Sequence, residues 1–142
     1  MEESNKAQHR EFVQTAITRM NTNSFQLKAM MITITAAFLA VFGANSKSVF
    51  ILIPIPIVFL FWFLDAYYLQ MERKFRAIYR DICDLTSEDE KLTTSVFQMN
   101  PKLYKGWDYS FLKVFLWSSI APLYLFIIAS LTIVYLKLTC IV

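Results

Sequence analysis

The sequence predicts an all-α integral membrane protein: three transmembrane helices, an amphipathic N-terminal helix, and a long helix extending into the cytoplasm. Three observations carry this. Hydrophobic residues make up 56% of the 142 and charged residues 18%, against about 25% charged in a soluble domain. The missing charge is concentrated in three gaps, Lys28 to Lys47, Lys47 to Asp65 and Lys113 to Lys137, which hold 18, 17 and 23 residues without Lys, Arg, Asp or Glu. A spanning helix needs roughly 17–25 mostly apolar residues. Finally, the apolar runs are continuous and only Gly43 and Gly106 are glycines. That disfavours both a phosphate-cradling Gly-rich loop and a transmembrane barrel, whose strands alternate apolar and polar residues.

Residues 1–24 form the first segment. Phe12, Val13, Ala16, Ile17 and Met20 recur at three- and four-residue spacing, the period of an amphipathic helix over 5–20. Such a helix either lies along inner headgroups or packs on the protein's own cytoplasmic helix. Glu2, Glu3 and Glu11 in this stretch do not fit the basic start of a secretory signal. Asn21, Thr22, Asn23 and Ser24 break the pattern, with Ser24 as N-cap of the next helix.

Residues 25–70 are a membrane hairpin with spans at about 25–44 and 49–69. Lys28 is expected to snorkel to the inner interface. Ala36, Ala40, Gly43 and Ala44 offer a small-residue face on which helices approach closely in lipid, within one chain or between chains. Asn45 to Ser48 make the turn. Pro54 and Pro56 predict either a kink or a helix that starts properly at Pro54. Trp62, Tyr67 and Tyr68 place the inner boundary at the aromatic belt. The helix has no reason to stop there, because no Gly or Pro occurs from Ile57 through Asn100. It runs on to about Leu85, with Glu72–Arg76 and Arg80–Asp84 as pairs four apart.

Residues 71–110 are the cytoplasmic helical segment. Ser87 with Glu90 is a capping-box signature and predicts a short helix over about 88–99, ended by Pro101. Trp107 and Tyr109 lead back to the membrane. The third transmembrane helix occupies 111–137, with Pro122 inside it, and 138–142 is a short outer tail. Hydroxyls on the spans (Thr33, Thr35, Ser118, Ser119, Ser130 and Thr132) either bond their own backbone or line a pore in an oligomer.

Orientation follows the Lys and Arg of flanking segments. With the N-terminus inside, twelve lie on the inner side and only Lys47 and Lys137 on the outer. The sequence therefore predicts a cytoplasmic N-terminus and an outer C-terminus.

No catalytic or metal site and no cofactor is predicted. His9, the single histidine, reads as a surface residue in a polar stretch. Cys83 and Cys140 lie near opposite faces of the membrane and have no histidine partner. Glu88, Asp89 and Glu90 point in different directions and suit a helix start. The small net charge of +3 gives no reason to expect nucleic acid. Asp65 has two readings: an intramembrane ionisable residue with a function, or an interface marker bonded to neighbours such as Tyr68 or Arg73.

The stretch Phe61 to Tyr79, F-W-F-L-D-A-Y-Y-L-Q-M-E-R-K-F-R-A-I-Y, resembles a recurring signature of small bacterial inner-membrane proteins, W-x-L-D-A-Y-Y-L-x-x-E-R-x-[FY]-R-x-[LI]-Y. Asn23 to Lys28, N-S-F-Q-L-K, matches their N-S-F-x-L-K. The layout is similar to SLATT-type membrane effectors of bacterial antiphage systems, with a third span added to their two. The resemblance implies a bacterial inner-membrane location with a periplasmic C-terminus. It marks Trp62, Asp65, Tyr67, Tyr68, Glu72, Arg73, Arg76 and Tyr79 as a rigid membrane–cytoplasm junction. The function it implies is an antiviral defence effector that oligomerises, receives a cytoplasmic signal or protein partner, and perturbs the lipid bilayer, in one version by forming a pore. The alternative is a non-catalytic anchor or adaptor whose docking face is Phe75, Ile78, Tyr79 and Ile82. A phage holin fits less well, since the C-terminus lacks a basic tail.

Overall fold

A computed structural model describes residues 2–93, 98–117 and 119–140. The first element, α1, is one continuous helix from Glu2 to Asn45. At 1.5 Å per residue it is about 66 Å long, enough to cross a bilayer and extend well beyond it. The expected break at Asn21–Ser24 does not form. Each of those residues costs a few tenths of a kcal/mol in a helix relative to Ala, but packing against the third helix overrides that propensity. Ser24 is accordingly a buried mid-helix residue, not an N-cap.

The α1 end is closed by Ser46 in the left-handed region (φ 54°), its N–H bonded to Phe42 O at 2.7 Å. Asn45 Nδ2 caps Val41 O at 3.1 Å. The chain reverses into the short helix α2 (Val49–Leu52) and then α3 (Pro54–Ile82). Ile53 between them keeps helical angles (φ −56°, ψ −43°), so the prolines mark an offset at the start of one rod. As predicted, α3 runs through the aromatic belt without interruption. It ends three residues before the predicted Leu85, in a Schellman turn: Asp84 is left-handed (φ 58°), Leu85 N–H reaches Arg80 O at 2.9 Å and Asp84 N–H reaches Asp81 O at 3.2 Å.

Asp84 therefore does not pair with Arg80. Its partner is Lys91 at 2.7 Å, while Arg80 lies 3.5 Å from the Tyr109 hydroxyl. The predicted helix over 88–99 is also absent among the described residues. Only a 3₁₀ turn forms at Glu88–Glu90, Lys91 is extended, and 94–97 lie outside the described residues. The backbone N–H groups of Leu92 and Thr93 go to Asp81 instead of a helix ladder.

After a 3₁₀ turn at Trp107–Tyr109 come α4 (Phe111–Trp117) and α5 (Ala121–Cys140). The expected single helix over 111–137 is thus divided ahead of Pro122, which supplies no N–H to continue the ladder. Helix α4 packs antiparallel to α3: Phe111 meets Phe63 at 4.9 Å and Phe115 meets Phe59 at 5.9 Å between ring centroids. Helix α5 continues through Leu138–Cys140, so most of the expected tail is helical; 141–142 and Ser118 lie outside the described residues.

Among the described residues three helical stretches, Glu3–Asn45, Val49–Ile82 and Ala121–Cys140, are long and apolar enough to cross a membrane. Large apolar side chains such as Met30, Phe59, Leu60, Phe126 and Ile133 are exposed along them, as a bilayer-facing surface requires. Two cores hold the chain together. One, between the apolar stretches of α1, α3 and α5 and the short α4, joins Met31, Val58, Trp62, Ala66, Val114, Ala121 and Tyr124. The other, in the layer formed by the N-terminal part of α1, the C-terminal part of α3 and the return loop, joins Val13 of α1 to Ala77 and Ile78 of α3 and to Tyr104. The amphipathic stretch of α1 packs on the C-terminal part of the chain's own α3.

Candidate membrane junction site

Ser24 and Lys28 are one turn apart on α1 and share a face. On α3 that face meets Asp65, and α5 brings Tyr124 against the same carboxylate. Asp65 is fully buried. A lone carboxylate there would be too costly to keep, so it must be paired and hydrogen-bonded. Lys28 Nζ lies 2.8 Å from Oδ2 and 3.1 Å from Oδ1. The Ser24 hydroxyl donates to Oδ1 and accepts from Lys28 Nζ at 2.6 Å. Tyr124 donates its hydroxyl to Oδ2 at 3.1 Å. One carboxylate thus gathers donors from α1 and α5 onto α3.

Two expectations need correction, the partners named for Asp65 and the snorkelling of Lys28. The partners of Asp65 are Lys28, Ser24 and Tyr124, not Tyr68 or Arg73. Lys28 does not simply snorkel: its ammonium is held by Asp65, with 26% of the side chain exposed. Two signals pointed there. The motif N-S-F-Q-L-K puts Ser24 and Lys28 four apart, and opposite charges at the same depth of two hairpin helices are natural partners.

Trp62 sits beside this cluster. Its ring stacks on Phe115 at 4.3 Å and faces Tyr124 at 6.0 Å. Its Nε1–H donates to Phe115 O at 3.2 Å. That carbonyl belongs to the last turn of α4, where helical partners run out. The division between α4 and α5 is therefore stabilised by a residue of α3, in the way broken membrane helices are tolerated.

The other predicted junction residues divide between inside and outside. Glu72 is buried and receives Arg76 at 2.6 Å from Nη2 and 2.8 Å from Nε, as the spacing predicted. Tyr67 is exposed and Tyr68 half-buried; they contact each other edge-on at 6.0 Å. Arg73 is half-buried and close enough to Asp108 to lower its pKa, after the nearer Lys113. Tyr79 is half-buried against α1. Ala36, Ala40, Gly43 and Ala44 are exposed, so they do not form the packing face within the chain. That face is Ser24, Met31 and Thr35.

The expected docking stripe is also occupied. Ile78 is fully buried, and Phe75, Tyr79 and Ile82 pack around it with Val13 and Ile17 of α1. His9 is 2% exposed, not a surface residue, and burial holds its imidazole below its usual pKa. The span hydroxyls of Thr33, Ser130 and Thr132 bond the carbonyls four residues back.

A third buried carboxylate, unforeseen from sequence, organises the layer around the C-terminal end of α3. Asp81 Oδ2 accepts the Tyr104 hydroxyl at 2.5 Å and the N–H groups of Leu92 and Thr93 at 3.1 and 3.2 Å; Oδ1 accepts Thr86 at 2.8 Å. Burial raises the Asp81 pKa, but the hydrogen bonds from Tyr104, Thr86, Thr93 and Leu92 outweigh it and hold the carboxyl below its ordinary range. Burial and the bond to Asp81 push the Tyr104 phenol well up. Asp81 thus ties the return loop to the end of α3.

Among the described residues no three His, Cys, Asp or Glu side chains converge as a metal set. Comparison with protein-family models, curated proteins and solved structures finds no match to this chain.

Proposed function

We propose that this chain is a membrane effector of bacterial antiphage defence that relays a cytoplasmic event to the inner membrane without catalysing a reaction. The observation that carries the reading is the buried Lys28–Asp65 pair. It sits where α1, α3 and α5 meet, at the inner end of the apolar stretches, and α1 and α3 both continue from it into the cytoplasmic layer. A displacement of that layer is delivered along two rigid rods to a charged tie, and a tie of this kind has two states, closed or parted. The signature from Phe61 to Tyr79 supports the defence role and the inner-membrane location. The exposed Ala36, Ala40 and Ala44 stripe, unused within the chain, supports assembly into an oligomer. The adaptor reading loses its docking face, because α1 covers Ile78.

The test is to express the chain with its neighbouring genes and follow membrane potential with a dye during phage infection. The expected result is a fall in potential in protected cells, abolished or made constitutive by Lys28→Met. Protection with unchanged potential would overturn membrane perturbation as the mechanism.

A further inference from the structure

On the cytoplasmic side, the helices α1 and α3 leave between them a groove of about 420 Å³, lined by Gln14, Ile17, Asn21 and Thr22 from one helix and Arg76 and Tyr79 from the other. Small-molecule sites fall at about 300–1,000 Å³, so the volume admits a compact ligand. We propose that this groove binds a small phosphate ester and that its occupancy is the cytoplasmic event assumed above.

The lining supplies the chemistry. Arg76 has a side chain 60% exposed. Its Nε and Nη2 hold Glu72, which fixes the guanidinium while leaving further N–H groups of its five for an anion. Gln14 and Asn21 add amide donors and Thr22 a hydroxyl. No carboxylate is among the groove's lining residues; the one that holds Arg76, Glu72, is itself buried. Ile17 and the Tyr79 ring provide the apolar wall that an organic group on the phosphate needs.

The sequence supplies a second argument. Asn21, Thr22, Asn23 and Ser24 are poor helix formers in the middle of a 44-residue helix. Ser24 is explained by Asp65. Asn21 and Thr22 line the groove and are exposed. Residues that break a local rule without structural gain mark functional positions. Their place, within one turn of Ser24, puts ligand contact next to the Lys28–Asp65 tie.

The phosphate has two possible sources, a soluble metabolite or an anionic lipid headgroup, since Thr22 lies close to the start of the apolar stretch. The full-length chain in phosphatidylcholine nanodiscs is titrated calorimetrically with AMP and with inorganic pyrophosphate. Phosphatidylglycerol-containing discs are analysed in parallel for retained lipid by native mass spectrometry. The variants are Arg76→Lys, which keeps the charge but loses the fork, and Asn21→Leu, which favours the helix; circular dichroism confirms that both fold. Saturable AMP or pyrophosphate binding, weakened about tenfold or more by either variant (one hydrogen-bonded contact, about 1.4 kcal/mol), supports a soluble ester. Phosphatidylglycerol retained by the native chain and lost from Arg76→Lys supports the headgroup. No binding in either arm, or binding that neither substitution changes, overturns the proposal. Because binding is read without any defence activity, it can fail while the effector reading holds, and the reverse.

Discussion

Replacing Lys28 by Met leaves the Asp65 carboxylate fully buried with only the Ser24 and Tyr124 hydroxyls for company. Removing one partner of a buried pair costs about 3–5 kcal/mol, because the remaining charge is uncompensated. Replacing Asp65 by Asn is not the mirror image. Lys28 is 26% exposed and its flexible stem lets the freed ammonium reach the headgroups. Asn also keeps an acceptor for Ser24 or Tyr124. The cost is then that of a weakened hydrogen-bond set, about 1–2 kcal/mol. The double variant Lys28→Met/Asp65→Asn buries no unpaired charge and should resemble Asp65→Asn alone. The cycle predicts a coupling about as large as the Lys28→Met cost itself, about 3–5 kcal/mol, and an unequal pair of single effects. The assay is reversible unfolding of the detergent-solubilised chain in mixed micelles of rising SDS content, followed by helicity. Equal single costs that add to within about 0.5 kcal/mol would refute the reasoning, because they describe a solvated surface pair.

Tyr104→Phe removes a hydrogen bond to the buried Asp81 carboxylate and should destabilise the loop by about 1.5–3 kcal/mol, read as faster tryptic cleavage at Lys91 and Lys102. Asp81 has a depressed pKa in the folded chain, so its stabilisation is present above the unfolded value of 3.8 and lost as pH falls through the folded one. Hydrogen exchange at Leu92 and Thr93 should therefore gain protection-loss only in acid below that value, and a loss centred near neutrality would contradict the assignment. Thr22→Pro should cost about 3 kcal/mol, because α1 is continuous at that point; a chain helically broken at 21–24 would accept it at little cost in the same unfolding assay.

Much of the architecture was legible because it depends on one-dimensional signals. Charge-free length locates the spans, and the absence of Gly and Pro after Ile57 lets α3 continue past the aromatic belt. The Glu72–Arg76 pair follows from four-residue spacing on one helix. The errors share a cause: each needed knowledge of what lies across the helix. Local propensity put a break at Asn21–Ser24, where contact with α3 holds the helix together. The capping-box pattern at Ser87–Glu90 predicted a helix, but Asp81 draws the following N–H groups away from the ladder. The stripe at Phe75, Ile78, Tyr79 and Ile82 was correctly read as apolar; that α1 covers it is a tertiary fact. Small residues at Ala36, Ala40 and Ala44 suggested close packing, whereas the chain uses the face of Met31 and Thr35. For the candidate site, Asp65 was singled out from sequence. Its partners were not, since Ser24 and Lys28 lie 41 and 37 residues away and Tyr124 lies 59 away.

The account depends most on the chain crossing the membrane three times, with the junction helices leading into the cytoplasm. Its two cysteines test this directly. Cys83 caps the C-terminal end of α3 and Cys140, which is exposed, ends the third stretch. A membrane-impermeant maleimide applied to spheroplasts of cells expressing the full chain should label Cys140 and spare Cys83, and should reach both after the membrane is opened. Labelling of Cys83 in intact spheroplasts, or protection of Cys140 there, would place the cytoplasmic layer on the wrong side and contradict the account.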